Sequence, residues 1–233
     1  MTLPPVCILA GGLGTRLGEK VRDVPKPLLE VAGEPFLAHQ LRLLASHGAE
    51  RVVLCVGYLG EQVEAVIGRE RSGVTIDYSY DDPPGAGTLG AVAGALELLG
   101  DRFLVLYGDT YLRIHYQGFA AAWQASGFPA AMSVLHNRDR LGPSNAVYRE
   151  GRVVRYDKRT RDPEMEWIDY GLGGLEADVV EASAGDLAGL YSSLAAGGEM
   201  FGYVATERFY EIGTPEALSE TEAFLLGTAG ART

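Results

Sequence analysis

The feature that most constrains the fold is an alternation of short apolar runs and amphipathic segments in the first half of the chain. Each run is five or six residues long, and the first two, Val6–Ala10 and Arg51–Val56, are typical of strands buried on both faces. The amphipathic segments between them are long enough to be crossover helices, so the pattern predicts a mostly parallel sheet with helices on both faces. The predicted strands are Val6–Ala10, Arg51–Val56, Val74–Tyr78 and Phe103–Tyr107, and the predicted helices are residues 35–48, 60–71 and 88–99.

The second half is less regular and predicts antiparallel pairing. Glu150-Gly151 separates two short alternating runs, which indicates a β-hairpin. Thr214-Pro215-Glu216 is a strong helix start, because Thr caps, Pro suits the first position and Glu meets the positive end of the helix dipole. We see no linker between the halves. Residues 1–233 are therefore predicted to form a single α/β domain with a small antiparallel flank.

Composition narrows the class of protein. The chain has 20 Lys and Arg against 31 Asp and Glu, and its formal net charge of -11 argues against nucleic acid or an anionic membrane as a partner. No apolar run is long enough to span a bilayer, and no basic region precedes the short apolar stretch at the N-terminus. We therefore expect a cytoplasmic protein. Cys7 and Cys55 lie in apolar runs and are expected to be reduced core residues.

A glycine-rich segment directly follows the first predicted strand. It contains Gly11, Gly12, Gly14, Thr15 and Arg16. Glycines let backbone N–H groups approach an anion closely, and the Thr hydroxyl and Arg guanidinium add donors for phosphate oxygens. Lys26, held between two prolines, adds a second fixed cation. At the carboxyl edge of a parallel sheet, this combination predicts a polyphosphate site.

Two familiar phosphate motifs do not fit this segment. The dinucleotide fingerprint needs a third glycine at position 17, where this chain has Leu17. The Gly-Lys-Ser/Thr end of a Walker A motif is absent.

The stretch LAGGLGTRL at 9–17, followed by PKPL at 25–28, resembles the signature of the sugar-phosphate nucleotidylyltransferases. With GEPFL at 33–37, the spacing is most similar to short guanylyltransferases acting on D-glycero-D-manno-heptose 1-phosphate. The resemblance implies a GT-A-type, Rossmann-like fold. It also implies a reaction in which an NTP and a sugar 1-phosphate give an NDP-sugar and pyrophosphate. Members of the family form dimers or tetramers, so a homo-oligomer is implied as well.

The resemblance implies a nucleotide-binding role for each matching position. The backbone that would hold the base and ribose belongs to Leu9, Ala10, Gly11 and Gly12. The residues that would hold the triphosphate are Gly14, Thr15 and Arg16, and Lys26 would contact the reacting phosphates. Gly87 and Thr88 match a second segment near the base. Arg16 and Lys26 are the implied catalytic residues.

The same resemblance implies which residues bind the metal ion and which bind the sugar phosphate. Asp109 matches the first aspartate that binds Mg²⁺, and Glu211 stands where the family usually has the second. Glu is one methylene longer, which is a departure from the family pattern. The sugar-phosphate side is implied to comprise Asn145, Asp157, Lys158, Asp169 and Gly171.

Elementary chemistry agrees with this reaction. A phosphate monoester has a second pKa of about 6, so the attacking oxygen is already ionised at neutral pH and needs no general base. The obstacle is repulsion between two polyanions, which local cations relieve. Arg16, Lys26, Lys158 and Mg²⁺ would supply that positive charge.

Two other functions stay open at this point. A glycosyltransferase on the same fold usually has an Asp-x-Asp motif, whereas this chain has Asp109-Thr110-Tyr111. A catalytically silent nucleotide-sugar sensor is the other alternative. GTP is the first choice of nucleotide by resemblance, with CTP, UTP and dTTP open, and the sugar could be a heptose, hexose, octose or cyclitol phosphate.

Overall fold

The computed structural model describes residues 2–12, 24–81 and 87–230, the last three by their backbone only. The strands in these ranges are β1 (Val6–Leu9), β2 (Glu30–Val31), β3 (Glu34–Pro35), β4 (Arg51–Val56), β5 (Glu70–Arg71), β6 (Val74–Tyr80), β7 (Arg102–Tyr107), β8 (Thr110–Tyr111), β9 (Ala130–His136), β10 (Ala146–Arg149), β11 (Arg152–Tyr156), β12 (Trp167–Glu176), β13 (Met200–Ala205) and β14 (Tyr210–Glu211). The helices are α1 (Phe36–Ser46), α2 (Gly60–Ile67), α3 (Gly87–Gly94), α4 (Leu96–Leu99), α5 (Tyr116–Ser126), α6 (Ala177–Glu181), α7 (Leu187–Ala196) and α8 (Pro215–Gly230).

One large sheet organises these elements, in the order β10-β11-β13-β9-β12-β7-β1-β4-β6-β5. The strands β7, β1, β4 and β6 pair in parallel, as the first half of the sequence predicts. The expectation that the sheet as a whole is mostly parallel is wrong, because the antiparallel pairing predicted for the second half involves more of the sheet than a small flank. There β12 runs antiparallel to both β7 and β9, and β10 to β11 and β11 to β13 are antiparallel as well. The expected antiparallel flank is thus part of the same mixed sheet.

Helices cover both faces of this sheet. On one face, α1, α2 and α5 bury Leu41, Val63 and Trp123 against the even-numbered residues of β1 and β7. On the other face, α3 and α7 bury Val92 and Leu190 against the odd-numbered residues. Cys7 and Cys55 are buried on this second face with their sulfur atoms 3.4 Å apart, and both are free thiols. Strands covered on two faces require continuous apolar runs, which the sequence contains.

Two of the predicted helices differ from their expected bounds: one ends earlier and the other is divided in two. The helix expected over 60–71 ends at Ile67, because Gly68 adopts a φ of 77° and the chain then turns into β5. The helix expected over 88–99 divides into α3 and α4 at Ala95. The hairpin prediction is confirmed, since β10 and β11 pair around Glu150 and Gly151, both with positive φ.

The carboxyl ends of β1 and β7 meet at the edge that carries the candidate site. A Cβ on Gly108 would lie 2.8 Å from the carbonyl oxygen of Leu9, so only glycine lets the two chains approach this closely. A short ribbon of β8 and β14 stands above this edge and places Glu211 opposite Thr110. None of the helices in the described ranges is long and apolar enough to cross a membrane.

The packing of β12 against α5 generates a stability prediction. A Cβ on Gly174 would lie 2.6 Å from the ring of the fully buried Trp123. Gly174→Ala is therefore expected to lower the free energy of unfolding by about 1–3 kcal/mol, the usual cost of overpacking a core. Gly227→Ala is the matched control, because a Cβ at that position would have nothing within 4 Å and Ala is the better helix former, favouring it by about 0.5–1 kcal/mol. Urea denaturation of both variants measures the difference; equal midpoints would contradict the packing argument.

Candidate active site

A cleft of about 480 Å³ opens at the carboxyl edge of the sheet, beside the β8–β14 ribbon. It brings together residues that lie far apart in the sequence and were predicted for two different tasks. The lining includes both implied metal ligands and all five implied sugar-phosphate residues: Asp109, Glu211, Asn145, Asp157, Lys158, Asp169 and Gly171. The residues that the structure describes therefore converge as the resemblance implies, although their roles remain predictions.

Lys26 reaches the metal side of this cleft. It begins a 3-10 turn at Lys26–Leu28, and only 8% of the residue is exposed. Its ammonium donates a hydrogen bond of 2.5 Å to Asp109 Oδ2. Asp109 itself follows Gly108 at the end of β7. A nearly buried cation thus lies against the first implied metal ligand, where a polyphosphate would have to bind.

Glu211 is fixed beside Asp109 through its backbone. Glu211 pairs with Thr110 across the ribbon, and the N–H of Ile212 donates to the carbonyl of Asp109 at 3.0 Å. The half-buried Glu211 carboxylate makes no hydrogen bond or ion pair to any residue in the described ranges. It is therefore a carboxylate in a substrate-sized cleft with its lone pairs available.

The donor set fits a hard divalent cation. Mg²⁺ prefers carboxylate oxygens and is usually held by one or two of them together with water and substrate phosphates. Asp109 and Glu211 are two such carboxylates, and Asp109 Oδ1 accepts a hydrogen bond of 3.1 Å from the Thr110 hydroxyl. Across the described residues, no group of three or more His, Cys, Asp or Glu side chains could hold a metal. Phosphate oxygens and water would have to complete the coordination.

Lys158 is the lysine among the residues predicted to bind the sugar phosphate, and it lines the cleft. Its Nζ lies 3.4 Å from Asp169 Oδ2 and 3.5 Å from the Tyr107 hydroxyl oxygen. It also lies over the rings of Tyr107 and Tyr156, at 5.0 and 5.7 Å from their centroids. Burial lowers the pKa of Lys158, but the attraction of Asp169 and Tyr107 outweighs it, so its pKa is raised overall. Lys158 is therefore fully protonated at neutral pH.

Asp169 holds Lys158 in place and is itself held from three sides. Its side chain is 6% exposed. The N–H of Asp169 donates to Asn145 Oδ1 at 2.8 Å, while Asp169 Oδ1 accepts from the N–H of Gly171 at 3.0 Å. Asp169 Oδ2 accepts from the Tyr156 hydroxyl at 3.1 Å. Asn145, Asp169 and Gly171 thus shape the wall of the cleft.

Asp157 folds the loop that carries Lys158. Its Oδ1 accepts from the N–H groups of Arg159 and Thr160, at 2.7 and 3.1 Å. These hydrogen bonds lower the pKa of the Asp157 carboxyl, so it is ionised at neutral pH. The structure gives Asp157 the role of an Asx-turn residue whose loop positions Lys158.

Sequence reasoning missed two tyrosines in this site. Tyr107 is the last residue of β7, and burial, reinforced by Asp169, raises its pKa to about 12. Tyr156 is almost fully buried at the end of β11, and burial together with Asp169 raises its pKa as well. Both phenols are neutral at physiological pH. The available signal was their position, since each ends a strand within two residues of a candidate site residue.

The structure describes only part of the first segment predicted to bind the nucleotide. Leu9 ends β1, and Ala10, Gly11 and Gly12 follow it at the same sheet edge, where the N–H of Ala10 donates to the carbonyl of Cys55 at 2.8 Å. Gly14, Thr15 and Arg16 lie outside the described residues.

The second nucleotide segment departs from expectation in one detail. Gly87 begins α3, one residue before the predicted start of the helix at position 88, so Thr88 lies in its first turn. The Thr88 hydroxyl accepts a hydrogen bond of 3.2 Å from the N–H of Leu187, the first residue of α7. Thr88 therefore ties the second nucleotide segment to α7.

The chain is similar in sequence to known proteins over part of its length. The chain is 42% identical over 126 residues to the CMP-5'-(3-aminopropyl)phosphonate synthase of Streptomyces rubellomurinus, a match covering 53% of this chain and 20% of that protein. It is 32% identical over 152 residues to the D-glycero-alpha-D-manno-heptose 1-phosphate guanylyltransferase of Campylobacter jejuni, covering 65% of this chain and 67% of that one. The matches thus span between a fifth and about two thirds of these relatives' own lengths.

A solved structure and a family model complete the comparison. HddC from Yersinia pseudotuberculosis complexed with GMP-PN shares the fold, with a TM-score of 0.79 and 23% identity over 96% of this chain and all of that one. The family model of the MobA-like NTP transferase domain matches residues 6–182. Because this match covers well over half of the chain, the chain belongs to the family of MobA-like NTP transferase domains.

Proposed function

We propose that this protein transfers a nucleotidyl group from an NTP to a sugar 1-phosphate, giving an NDP-sugar and pyrophosphate. One observation carries the proposal: the lining of a single cleft includes a pair of carboxylates suited to a divalent cation, Asp109 and Glu211, and the protonated Lys158. Donor and acceptor phosphates would meet between Lys26 and Lys158. Both substrates are polyanions, and these cations reduce the repulsion that otherwise keeps them apart.

The residues act by position and charge. The acceptor phosphate is mostly ionised near neutral pH and attacks the α-phosphorus of the NTP without a general base. Lys158 would bind the acceptor phosphate, while Lys26 and Arg16 would bind the phosphates of the NTP. Asp109 and Glu211 would hold Mg²⁺, which supplies further positive charge to the phosphate oxygens when bound. The remaining rate enhancement comes from holding the two substrates in line.

Substrate preference follows from the relatives. Relatives named as guanylyltransferases act on heptose 1-phosphate in Campylobacter jejuni and on mannose 1-phosphate in Mycobacterium tuberculosis. These names support GTP as the first nucleotide to test and a heptose 1-phosphate as the first acceptor. We further propose that residues 1–233 work as one domain with a GT-A-type nucleotide-binding half, in the cytoplasm and as a homo-oligomer. The continuous ten-stranded sheet supports the single domain.

The first prediction tests catalysis directly. Mixing the protein with Mg²⁺, each of four NTPs and a panel of sugar 1-phosphates should release pyrophosphate for at least one pair. Lys26→Met and Arg16→Ala are each expected to lower kcat/KM by about 100-fold or more, because each removes a cation that stabilises the transition state. Arg51→Gln, at the opposite edge of the sheet, is the control and should keep full activity. Binding of nucleotide without pyrophosphate release would identify a sensor instead.

The second prediction concerns the metal ligands. Glu211→Gln removes a negative charge from the implied Mg²⁺ site and should raise the metal concentration needed for half-maximal activity by about 10-fold or more. Glu211→Asp keeps the charge and shortens the arm by one methylene, so it should retain more affinity than the Gln variant. Titration of Mn²⁺ in the presence of nucleotide, followed by electron paramagnetic resonance, measures the affinity without relying on turnover. Unchanged Mn²⁺ binding in Glu211→Gln would remove Glu211 from the site.

The third prediction concerns the ion pair between Lys26 and Asp109. Asp109→Asn leaves the nearly buried Lys26 ammonium without its carboxylate, which should lower the free energy of unfolding by about 1–3 kcal/mol, since Asp109 retains partial exposure. Asp77→Asn is the matched control, because Asp77 pairs with the more exposed Arg51 at 2.8 Å and such pairs contribute about 1 kcal/mol or less. Thermal and urea unfolding without ligands compare the two, and a larger loss for Asp77→Asn would contradict the argument.

A further inference from the structure

Arg161 stands apart from the other arginines of the described ranges. Each of those makes an ion pair, a hydrogen bond or a contact with an aromatic ring. Arg161 makes none of these with any residue that the structure describes. Its recorded interaction is electrostatic: after the hydrogen bonds from Ser144, it contributes to lowering the pKa of the exposed Asp139 carboxyl. The guanidinium is therefore available to a ligand.

Arg161 lines the same cleft as Lys158, on the loop that follows Asp157. The other two cations of this loop already have acidic partners. Lys158 lies 3.4 Å from Asp169, and Arg159 lies 3.2 Å from Asp186. Among the described residues, Arg161 is thus an exposed cation on the lining of this cleft that has no ion-pair or hydrogen-bond partner, in a protein whose formal net charge is -11.

The wall near Arg161 is built by a loop with internal hydrogen bonds. The fully buried Asn137 donates to the carbonyl of Gly142 at 2.8 Å and to the Ser144 hydroxyl at 3.0 Å, and its Oδ1 accepts from the N–H of Leu141 at 2.9 Å. Asp139 Oδ1 accepts from the N–H of Ser144 at 2.6 Å. Gly142 and Ser144 of this loop line the cleft together with Arg161. The hydrogen bonds within the loop therefore fix the shape of this part of the cleft wall.

We propose that the acceptor carries a second anionic group, a carboxylate or a phosphate, remote from its reacting phosphate, and that Arg161 binds this group. The planar guanidinium matches both anions, because it can donate two parallel hydrogen bonds. In this arrangement Lys158 binds the reacting phosphate of the acceptor, and Arg161 binds the second anionic group. This inference rests on the proposed nucleotidyl transfer and narrows the acceptor to one that carries more charge than a plain heptose 1-phosphate, which has no second anionic group.

The experiment compares three acceptors on one sugar ring. α-D-glucose 1-phosphate has no second anion, α-D-glucuronate 1-phosphate adds a carboxylate, and α-D-glucose 1,6-bisphosphate adds a phosphate. With GTP and Mg²⁺, the wild-type protein should prefer one of the anionic acceptors by about 10-fold or more in kcat/KM, the effect of a charge-assisted hydrogen bond. The preferred member of the pair identifies the anion.

Variants of Arg161 assign the preference to this residue. Arg161→Gln should reduce the preference to about one, and Arg161→Lys should retain part of it, because an ammonium keeps the charge and loses the planar fork. Arg51→Gln is the arginine control and should keep the preference of the wild type. A preference that is equal in wild type and Arg161→Gln, or a wild-type preference for glucose 1-phosphate, would overturn the inference while pyrophosphate release upholds the proposed function.

Binding measurements separate the two proposals if none of these pairs turns over. Calorimetric titration of the same three acceptors into the protein without nucleotide reports affinity alone. Tighter binding of an anionic acceptor to wild type than to Arg161→Gln supports the assignment of Arg161, even where the absence of pyrophosphate counts against the proposed function. Equal dissociation constants for the two proteins would refute the assignment.

Discussion

Opposite charges at the end of β7 determine how the site is assembled. The carboxylate of Asp109 lies where β7 ends, and the ammonium of Lys26 lies against it although the two residues are 83 positions apart. A charge as buried as Lys26 is stable only beside a counter-charge, so the segment carrying Lys26 must return to the carboxyl edge of the sheet. The same edge receives Glu211 through the backbone of the β8–β14 ribbon. Three distant parts of the chain therefore meet at one point.

The part of the cleft predicted to bind the sugar phosphate contains a second cation, Lys158, which is held in a different way from Lys26. Lys158 is held by one carboxylate and two aromatic rings, and Asp169 is in turn fixed by Tyr156, Asn145 and Gly171. Such an arrangement keeps the lysine protonated while leaving its ammonium on the cleft wall. A phosphate entering the cleft would find a charge already oriented and would not have to order a flexible side chain.

The parallel half of the sheet could be predicted from sequence because burial on two faces leaves a local trace. The strands β1, β4 and β7 are short apolar runs, and each crossover shows a helical period, whereas β6 at the side of this group alternates apolar and polar residues. The position of β12 has no such trace. Its apolar run would look the same at either edge of the sheet, whereas its actual place between β7 and β9 depends on long-range pairing. Thr88 shows a similar limit, since its bond to Leu187 joins positions 99 residues apart.

The candidate site could be predicted to a similar extent. Lys26, Asp109 and Lys158 could be named as candidates from the sequence because each lies in a stretch that resembles a motif of the sugar-phosphate nucleotidylyltransferases. Tyr107 and Tyr156 belong to none, and aromatic residues at strand ends usually serve in packing. Their contacts with Lys158 and Asp169 arise only once β7, β11 and β12 come together.

The insertion of β12 has a consequence for how this scaffold can diversify. Its ladder with β7, from Leu172 to Glu176, brings the end of β7 that leads to Asp109 and the part of β12 that leads back to Asp169 to the same edge of the sheet. The turns over 137–144 and 157–162 project beyond that ladder, and one of them is stabilised within itself through Asn137. Substitutions in those turns would change which acceptor binds while leaving the positions of Asp109 and Asp169 unchanged. One sheet could in this way carry the same proposed reaction on different acceptors, with the two turns determining which acceptor binds.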